Sequence, residues 1–431
     1  MAESTDISLR NSVIYSVFVR NYSEEGTFKA VERDLDRIKK LGVDIIWFMP
    51  IHPIGKEKRK GSIGSPYAIM DYRSVNPDYG TLDDFKSLVK SIHDRDMKCI
   101  IDVVYNHTSP DSVLSGNHPE WFYHNDDGSF GNKVGEWSDI IDLDYSNLDL
   151  WNYQIDSLKM WAEIVDGFRC DVASIIPIDF WKKARNEVRK INRNCIWLAE
   201  SIEYDFINTM RKNGYPAYSD CEMYSVFDIC YDYDIYNDLM EYYIGSGELK
   251  NYLDSLNRQE SIYPDNYIKL HFLENHDRPR THLMVKDDNE LINWTAFLYF
   301  MKGSTLIYNG QEIGEKHYIS LFEKDSVDWN LNDDKIDLSE LMRKMYSIKK
   351  KEVFKNGYFK CNEKEDGIIA AVIEDNNKKI MGIFGVKDYK GPITINIEDG
   401  KYLNEIDNRV YEILNGQLNF DGYPVVIELN N

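Results

Sequence analysis

Four apolar runs in the sequence end in ionisable side chains, and such residues can carry acid–base or nucleophilic chemistry. The residues at or just beyond the ends of these runs are Asp102, His107, Arg169, Asp171, Glu200, Glu274, His276 and Asp277. If the runs are parallel strands of one barrel, their carboxyl ends meet at a single face, where barrel enzymes hold their active sites. Each cluster alone fits a cap, a turn or an ion pair equally well, but four together predict one convergent site.

The run that ends in Asp166-Gly-Phe-Arg-Cys-Asp171 is the most informative of the four. Arg169 and Asp171 lie two residues apart, so on a strand both side chains point to the same face. A buried Arg and Asp carry a large desolvation cost unless each is satisfied. The pair could hold Asp171 ionised as a nucleophile. It could equally be a structural ion pair at the end of a core strand, and the residues alone leave both interpretations open.

Glu200 ends the next predicted strand, so Asp171 and Glu200 are expected to lie close together. Two carboxyl groups about 5–5.5 Å apart suit retaining glycoside cleavage, in which one attacks the anomeric carbon and the other protonates the leaving oxygen. The apolar residues 197–199 precede Glu200. Partial desolvation there would raise the pKa of Glu200, as a general acid requires.

His107 and His276 stand beside strand-end carboxylates, and either imidazole could donate a hydrogen bond to a sugar hydroxyl. A metal-dependent hydrolase is the competing class, because His and Asp also ligate metals. The sequence has no H-E-x-x-H motif and no closely spaced His pair, which disfavours the metal-dependent class.

The pattern of elements predicts an α/β protein built on a (β/α)8 TIM barrel. Eight largely apolar strands alternate with amphipathic helices, which argues for a parallel sheet covered by helices. The sixth strand is expected at 223–229, followed by one long helix over about 235–256. A doubly wound open sheet is the alternative, but no G-x-G-x-x-G motif or P-loop supports it.

Three domains are predicted from the changes in pattern along the chain. The barrel is expected to comprise residues 1–106 and 148–352. A small excursion subdomain is expected over 107–147, after the third strand, since so long an insertion in a compact domain usually carries function. Short β-rich runs separated by turn residues predict a C-terminal antiparallel β-sandwich domain over 353–431.

Composition and charge narrow the classes of partner. The chain of 431 residues is 43% hydrophobic, so it can bury a large core, and its net charge is −22. Such a surface repels polyphosphates, which disfavours nucleic acid and anionic membranes and favours a neutral substrate. We find no signal peptide and no apolar run long enough to span a bilayer. The six cysteines are scattered, and a cytoplasmic location is predicted.

The four clusters resemble, in order, the four signature blocks of the α-amylase family of retaining α-glucan-active enzymes. The blocks here are Asp102-Val-Val-Tyr-Asn-His107, Gly167-Phe-Arg-Cys-Asp171, Trp197-Leu-Ala-Glu200 and Glu274-Asn-His-Asp277. The resemblance covers essentially the whole chain. It implies that Asp171 is the nucleophile and Glu200 the acid/base. It also implies that Asp277 grips the sugar hydroxyls and stabilises the transition state.

The same resemblance implies a set of substrate-contacting residues, namely Tyr67, His107, Arg169, His276 and Arg280. Tyr67 matches the family's tyrosine that stacks under the cleaved glucose. Exo-acting α-glucosidases of the family usually have Asp directly after that tyrosine, paired with an Arg that closes the pocket. Here Ala68 follows Tyr67, although Arg280 is present, so the sequence favours a cleft open to longer chains.

Two further differences between this sequence and the family pattern concern specificity and metal binding. Ser174 and Ile175 stand where many α-amylases carry Lys-His on the leaving-group side, which weakens the case for ordinary endo-action on starch. Asn106 matches a calcium ligand of many α-amylases, but the D-x-N-x-D-G loop of some members is missing after the first strand. The resemblance implies no cofactor for the chemistry and leaves a structural calcium undecided.

The expected function is retaining hydrolysis of α-1,4-glucosidic bonds in maltooligosaccharides or related α-glucans. An α-glucanotransferase or a cyclomaltodextrinase-type enzyme on the same scaffold is the first alternative, because all of these share the covalent step. A non-catalytic carbohydrate-binding protein is the remote alternative. The sequence leaves the oligomeric state open.

Overall fold

Eight parallel strands close into a barrel in the computed structural model, which describes residues 2, 5–135, 137–332 and 334–429. The strands are β1 (Val13–Val17), β2 (Ile45–Phe48), β3 (Lys98–Val103), β4 (Gly167–Cys170), β5 (Ile196–Ala199), β6 (Ile229–Tyr231), β7 (Lys269–His271) and β8 (Ser304–Tyr308). Each strand pairs with the next along the chain, and β1 pairs with β8. The predicted (β/α)8 barrel is therefore confirmed, and the open sheet is excluded.

The strands are buried almost throughout, because the barrel interior and the surrounding helices cover both of their faces. Registers at the centre of the barrel place Asp102 of β3 directly opposite Arg169 of β4. Gly167 begins β4 and lies close against β5. A Cβ atom at Gly167 would stand 2.4 Å from the carbonyl oxygen of Ile196, so only glycine allows these two strands to approach this closely.

Helices surround the barrel and connect its strands. The α-helices span Val19–Tyr22, Phe28–Arg33, Leu35–Lys40, Leu82–His93, Val113–Asn117, Leu148–Ala162, Ile178–Val188, Tyr204–Lys212, Asp220–Met223, Tyr233–Tyr243, Leu249–Ile262, Thr281–Met284, Asp288–Phe300, Ser339–Lys349 and Val353–Asn356. Short 3-10 helices span Ile7–Asn11, Pro119–Trp121, Ala173–Ile175 and Gln311–Ile313. No helix within the described ranges is both long and apolar enough to cross a membrane.

The sixth strand lies further along the chain than the predicted 223–229. Ser219 and Glu222 form a capping box that starts the short helix Asp220–Met223, and the strand begins only at Ile229. The long helix expected over 235–256 is also two helices, Tyr233–Tyr243 and Leu249–Ile262. The break falls at Gly245, whose φ of +76° is outside the helical region.

The excursion after β3 is fastened to the barrel by a short antiparallel ribbon. His107 pairs with Asp142, and Thr108 pairs with Ile141. The described residues between these two short strands add one short α-helix and one 3-10 turn. This ribbon places the excursion beside the carboxyl end of β3, at the mouth of the barrel.

The C-terminal part of the chain forms two four-stranded antiparallel sheets. Their strands are β9 (Tyr358–Glu363), β10 (Ile368–Glu374), β11 (Lys379–Gly385), β12 (Gly391–Thr394), β13 (Gly400–Leu403), β14 (Val410–Leu414), β15 (Gln417–Phe420) and β16 (Val425–Leu429). The sheet orders are β9-β10-β11-β16 and β12-β15-β14-β13. Phe384 of β11 packs on Phe297 and Phe300 of a barrel helix. The predicted C-terminal β domain is confirmed.

Candidate active site

The carboxyl ends of β3, β4 and β5 converge on one buried guanidinium, that of Arg169. Its Nη1 donates to both oxygens of Asp102, at 2.9 and 3.1 Å, and to Oδ1 of Asp171 at 2.8 Å. Its Nη2 lies 3.0 Å from Oε1 of Glu200. Arg169 has no exposed surface, and its charge also lies over the ring of Trp47 at 5.1 Å. One cation thus holds three carboxyl groups, two of which were predicted to be catalytic.

The residue after Asp171 fixes the orientation of Glu200. Val172 adopts φ 36° and ψ 41°, in the left-handed region that β-branched residues avoid. In this conformation the backbone N–H of Val172 donates to Oε2 of Glu200 at 2.7 Å. Strain of this kind persists only where the surroundings impose it, and it is concentrated at functional sites.

Burial sets the protonation of these carboxyl groups. It raises the pKa of Glu200 to about 7, against the opposing attraction of Arg169. Burial also raises the pKa of Asp171 and of Asp102, although Arg169 again opposes the change. A single guanidinium does not offset three negative charges in a low-dielectric site. Glu200 consequently holds a proton near neutral pH, which is the state a general acid needs.

Asp277 lies in the opposite electrostatic environment. The protein atoms around Asp277 disfavour its charge, although 41% of its side chain is exposed to the cavity, and the neighbouring imidazole of His276, together with Arg169 and Arg278, outweighs that cost and lowers its pKa. His276 Nε2 lies 3.0 Å from Oδ2 of Asp277 and 2.6 Å from the hydroxyl of Tyr67. Asp277 is therefore ionised, and its carboxylate can accept hydrogen bonds from hydroxyl groups.

Tyr67 stands between the acidic cluster and His276. Its hydroxyl donates to Oδ2 of Asp102 at 3.1 Å, and its ring stacks on the imidazole of His276, with centroids 5.3 Å apart and planes inclined by 13°.

His107 lies at the start of the excursion ribbon, where it pairs with Asp142. Burial lowers its pKa to about 4, so its imidazole is neutral at ordinary pH.

A cavity of about 390 Å³ opens above these groups, within the size range of small-molecule sites. Its lining comprises Lys60, Ser65, Tyr67, His107, Trp137, Asp139, Ile140, Asp171, Val172, Glu200, Ile202, Glu203, Phe206, Tyr233, Asp277, Arg278, Leu321 and Phe322. Five of the eight site residues named from the sequence line it: Tyr67, His107, Asp171, Glu200 and Asp277. Arg169 and His276 lie behind the residues that line the cavity. Arg169 contacts Asp171 there, and His276 contacts Asp277.

Arg280 was expected to contact substrate, but the structure places it behind the cavity wall. Its Nη1 donates to Oε1 of Glu274 at 2.7 Å, and its Nη2 donates to the carbonyl oxygen of Asn309 at 3.0 Å. The side chain is 1% exposed. Arg280 joins the ends of β7 and β8, and Arg278, two residues earlier, is the arginine that reaches the cavity.

Several lining residues were missed by sequence reasoning. Trp137 lies in the excursion and stacks on Phe206, with centroids 6.3 Å apart and planes inclined by 23°. Arg278 forms an ion pair with Glu203, and Tyr233 lies under its guanidinium at 4.7 Å. These residues follow different strands, so no local spacing in the sequence links them. The position of Glu203, three residues after Glu200, was a sequence signal that could have placed it near the site.

Asn106, the residue that matches a calcium ligand of the family, faces Asp142 and lies near Lys133. Its amide nitrogen lies 3.2 Å from Oδ1 of Asp142, while the backbone N–H of Lys133 donates to the other oxygen at 2.7 Å. The Lys133 ammonium stands 3.9 Å from Asp142 and donates to the carbonyl oxygen of Leu143 at 3.2 Å. A positive charge thus already faces Asp142 and the carbonyl oxygen of Leu143, two oxygen acceptors of the kind that calcium binds. Across the described ranges there is also no group of three or more His, Cys, Asp or Glu side chains that could hold a metal.

Comparison with known sequences identifies the family. A family model described as the catalytic domain of alpha amylase matches residues 11–118 and 111–367, which together make up most of the chain. The chain belongs to the α-amylase family. A second model, described as the bacterial alpha amylase C-terminal domain, matches residues 360–427 of this α-amylase family member.

Curated relatives within the α-amylase family differ in activity. The α-amylase MalA of Haloarcula japonica is 28% identical over 75% of this chain and 46% of its own length. An α-1,4-glucan:maltose-1-phosphate maltosyltransferase of Picrophilus torridus is 25% identical over 90% of this chain and 61% of its own length. The chain thus spans about half to three fifths of these two relatives.

Solved structures of the α-amylase family match along the full length of the chain. An α-amylase from Lactobacillus plantarum is 44% identical, covers 99% of this chain and 100% of its own, and superposes with a TM-score of 0.95. A maltogenic α-amylase from Thermotoga neapolitana is 34% identical, covers 98% of this chain and 99% of its own, and has a TM-score of 0.86.

Proposed function

We propose that this protein is a retaining α-glycoside hydrolase that cleaves α-1,4-glucosidic bonds in maltooligosaccharides through a covalent glycosyl–enzyme intermediate. The observation that carries the proposal is the pairing of Asp171 and Glu200 by one guanidinium at the wall of a cavity. The environments of the two carboxyl groups suit different roles. Glu200 retains a proton near neutral pH, as an acid must, and Arg169 contacts Asp171 directly, which favours the ionised form that a nucleophile needs.

In the first step Glu200 donates its proton to the glucosidic oxygen while a carboxylate oxygen of Asp171 attacks the anomeric carbon. The bond from that carbon to the leaving oxygen breaks, and the leaving chain departs with a free hydroxyl. Glu200 is left as a carboxylate. In the second step it takes a proton from water, whose oxygen attacks the same carbon and releases Asp171. Glu200 regains its proton, so the cycle closes with one water consumed.

Three lining residues are suited to hold the glucose unit that is cleaved. Tyr67 presents an aromatic ring, a surface on which the apolar face of a sugar can pack. Asp277 is ionised and accepts hydrogen bonds from hydroxyl groups, whereas neutral His107 can donate one. These contacts would position the anomeric carbon next to Asp171.

Product analysis of the native enzyme and the Asp171→Ala variant tests the proposal. Incubation of the native enzyme with maltopentaose should yield only shorter sugars with retained α-configuration, as read by chromatography and early-time NMR. The variant should lose activity by orders of magnitude while it still binds the sugar. Absence of any new product from the native enzyme would refute the hydrolytic function and favour a non-catalytic carbohydrate-binding protein.

Transfer to a second sugar is the alternative, and one observation favours it. The side of the cavity next to Glu200 is lined by the apolar residues Val172, Ile202, Phe206 and Trp137. Such a surface can bind an acceptor sugar and limit the access of water to the intermediate. Products longer than maltopentaose in the same incubation would identify transfer, in line with the maltosyltransferases among the relatives.

A further inference from the structure

Two loops at the mouth of the barrel are joined edge to edge. The loop after β2 donates from the backbone N–H groups of Ile63 and Gly64 to the carbonyl oxygen of Phe322, at 3.1 and 3.3 Å, in the loop after β8. Ser62 adds a hydrogen bond from its N–H to Oε1 of Glu323 at 2.8 Å. The two loops therefore form a continuous wall of the cavity.

A buried arginine supports this wall from beneath. Arg20, which is 4% exposed, donates from Nη1 to the carbonyl oxygen of Leu321 and from Nη2 to that of Gly64, both at 3.0 Å. The rigid guanidinium of Arg20 thus holds the two loops together. The wall is therefore one fixed structure and not two surface loops that move independently.

An ion pair continues the wall to the excursion. Lys60 of the loop after β2 places its ammonium 3.1 Å from Oδ1 of Asp139. The Asp139 side chain is 7% exposed and that of Lys60 is 38% exposed, and both residues line the cavity. The Lys60–Asp139 pair therefore links the barrel loops to the excursion at the edge of the substrate cavity.

The order of strands shows which end of a substrate this wall faces. In the closed barrel, β8, β1 and β2 lie across from β4, β5 and β6. The two barrel loops of the wall follow β2 and β8, whereas Glu200 and the apolar residues Val172, Ile202 and Phe206 beside it follow β4 and β5. Because Glu200 protonates the leaving oxygen, the leaving chain extends on its side of the cavity. The wall consequently faces the non-reducing end of the substrate.

We propose that Lys60 and Asp139 determine how many glucose units fit on the non-reducing side of the cleaved bond. This inference rests on the proposed hydrolytic function and deepens it. A chain that extends past the wall has to displace the ion pair and desolvate Asp139. The enzyme therefore removes short oligosaccharides from chain ends and does not cut at random within long chains.

This inference differs from the open cleft that Ala68 alone suggested. That expectation considered one way to close the cavity, an Asp after Tyr67 paired with an Arg. The structure turns Arg280 away from the cavity and buries Ala68. Closure comes instead from a lysine seven residues before Tyr67, paired with an aspartate of the excursion.

The test uses maltoheptaose labelled at its reducing end and compares the native enzyme with Lys60→Ala, Asp139→Ala and a matched control, Lys56→Ala. Lys56 lies in the same loop, and its side chain is exposed outside the cavity lining. Early products are separated by length. The native enzyme and the control should release mainly unlabelled maltose and maltotriose. Each wall variant should increase the fraction of longer unlabelled products severalfold.

Added salt gives an independent measurement on the folded native enzyme. A partly exposed ion pair is screened as ionic strength rises. High salt should therefore shift the products of the native enzyme towards those of Lys60→Ala, and leave the products of that variant unchanged. This measurement decides the question if a wall variant fails to fold.

The outcomes separate this inference from the proposed function. An inactive native enzyme overturns both. An active native enzyme whose product lengths are unaffected by either wall substitution and by salt overturns the role of Lys60 and Asp139 alone. A native enzyme that already releases mainly long unlabelled products also overturns it, because the wall would then not limit the chain.

Discussion

The backbone N–H of Val172 donates a 2.7 Å hydrogen bond to Oε2 of Glu200, although φ of Val172 lies in the left-handed region. A non-glycine residue in this region costs on the order of 1–3 kcal/mol. The hydrogen bond ties the proposed acid/base to the residue that follows the proposed nucleophile. Asp171 and Glu200 consequently keep one relative position, set by the backbone and by Arg169.

The pH dependence of turnover should follow Glu200 on its alkaline side. Burial raises the pKa of Glu200 to about 7, and the first step needs its protonated form. The kcat value should fall as pH rises through about 7. It should also fall at acid pH, since Asp171 has to be ionised and burial raises its pKa as well. A kcat–pH profile on maltopentaose checks both limbs, and turnover that stays constant from pH 6 to about 9 would contradict the assignment.

The substitution Glu200→Gln should affect substrates according to their leaving groups. Loss of a general acid lowers turnover of maltopentaose by roughly 10²–10⁴-fold. Fluoride leaves without a proton, so the first step on α-maltosyl fluoride should be little affected. Glu200→Gln should therefore release a rapid burst of about one fluoride per active site, followed by slow turnover, because the second step still needs Glu200 as the base. The control is Asp171→Asn, which removes the nucleophile and should abolish turnover of both substrates. Absence of the fluoride burst with Glu200→Gln would contradict the acid role, because the first step would then be slowed even where the leaving group needs no proton.

The substitution Arg169→Met should destabilise the fold by about 3–5 kcal/mol near neutral pH, because it leaves buried carboxyl groups without their cation. The effect should depend on pH with a definite sign. Without Arg169 the folded-state pKa values of these carboxyl groups rise further above their unfolded values, so stability is lost as pH rises through them. Urea unfolding at pH 5 and pH 7 measures this, and the variant should be closer to the native protein at pH 5.

The sequence sufficed for the barrel and for the acidic cluster because both depend on strand periodicity. Apolar runs define the strands, and residues at their carboxyl ends share one face, so Asp102, Asp171 and Glu200 could be placed together before the structure was known. The sixth strand was misplaced because apolar side chains near Phe227 fit a strand as well as a helix end. The capping box at Ser219 was the overlooked signal.

The rest of the cavity could not be predicted because it depends on loop conformation. Arg278 and Arg280 lie two residues apart, and no periodic pattern shows which one faces the cavity. Trp137 and Phe206 meet across two different loops, and so do Lys60 and Asp139. Contacts of this kind are set by tertiary packing, not by spacing along the chain.

The substitution Trp137→Ala should weaken binding on the leaving-group side. The indole stacks on Phe206 and lines the cavity. Loss of one aromatic contact worth about 0.5–1.5 kcal/mol predicts a KM for maltopentaose raised by up to about tenfold, with a smaller change in kcat. Any transfer products should decrease relative to hydrolysis. Trp137→Tyr keeps a ring and is the control; identical KM values for all three proteins would contradict the role of Trp137.

The stability of this protein should not depend on calcium. The Lys133 ammonium faces Asp142 and the carbonyl oxygen of Leu143, so the charge of Asp142 is already compensated. EDTA should leave the Tm of the native protein unchanged. Lys133→Ala should lower the free energy of unfolding by about 1–3 kcal/mol, because it leaves a buried acceptor unpaired. Calcium should then raise the Tm of that variant more than the Tm of the native protein. A native Tm that drops in EDTA would show instead that a metal ion is part of the fold.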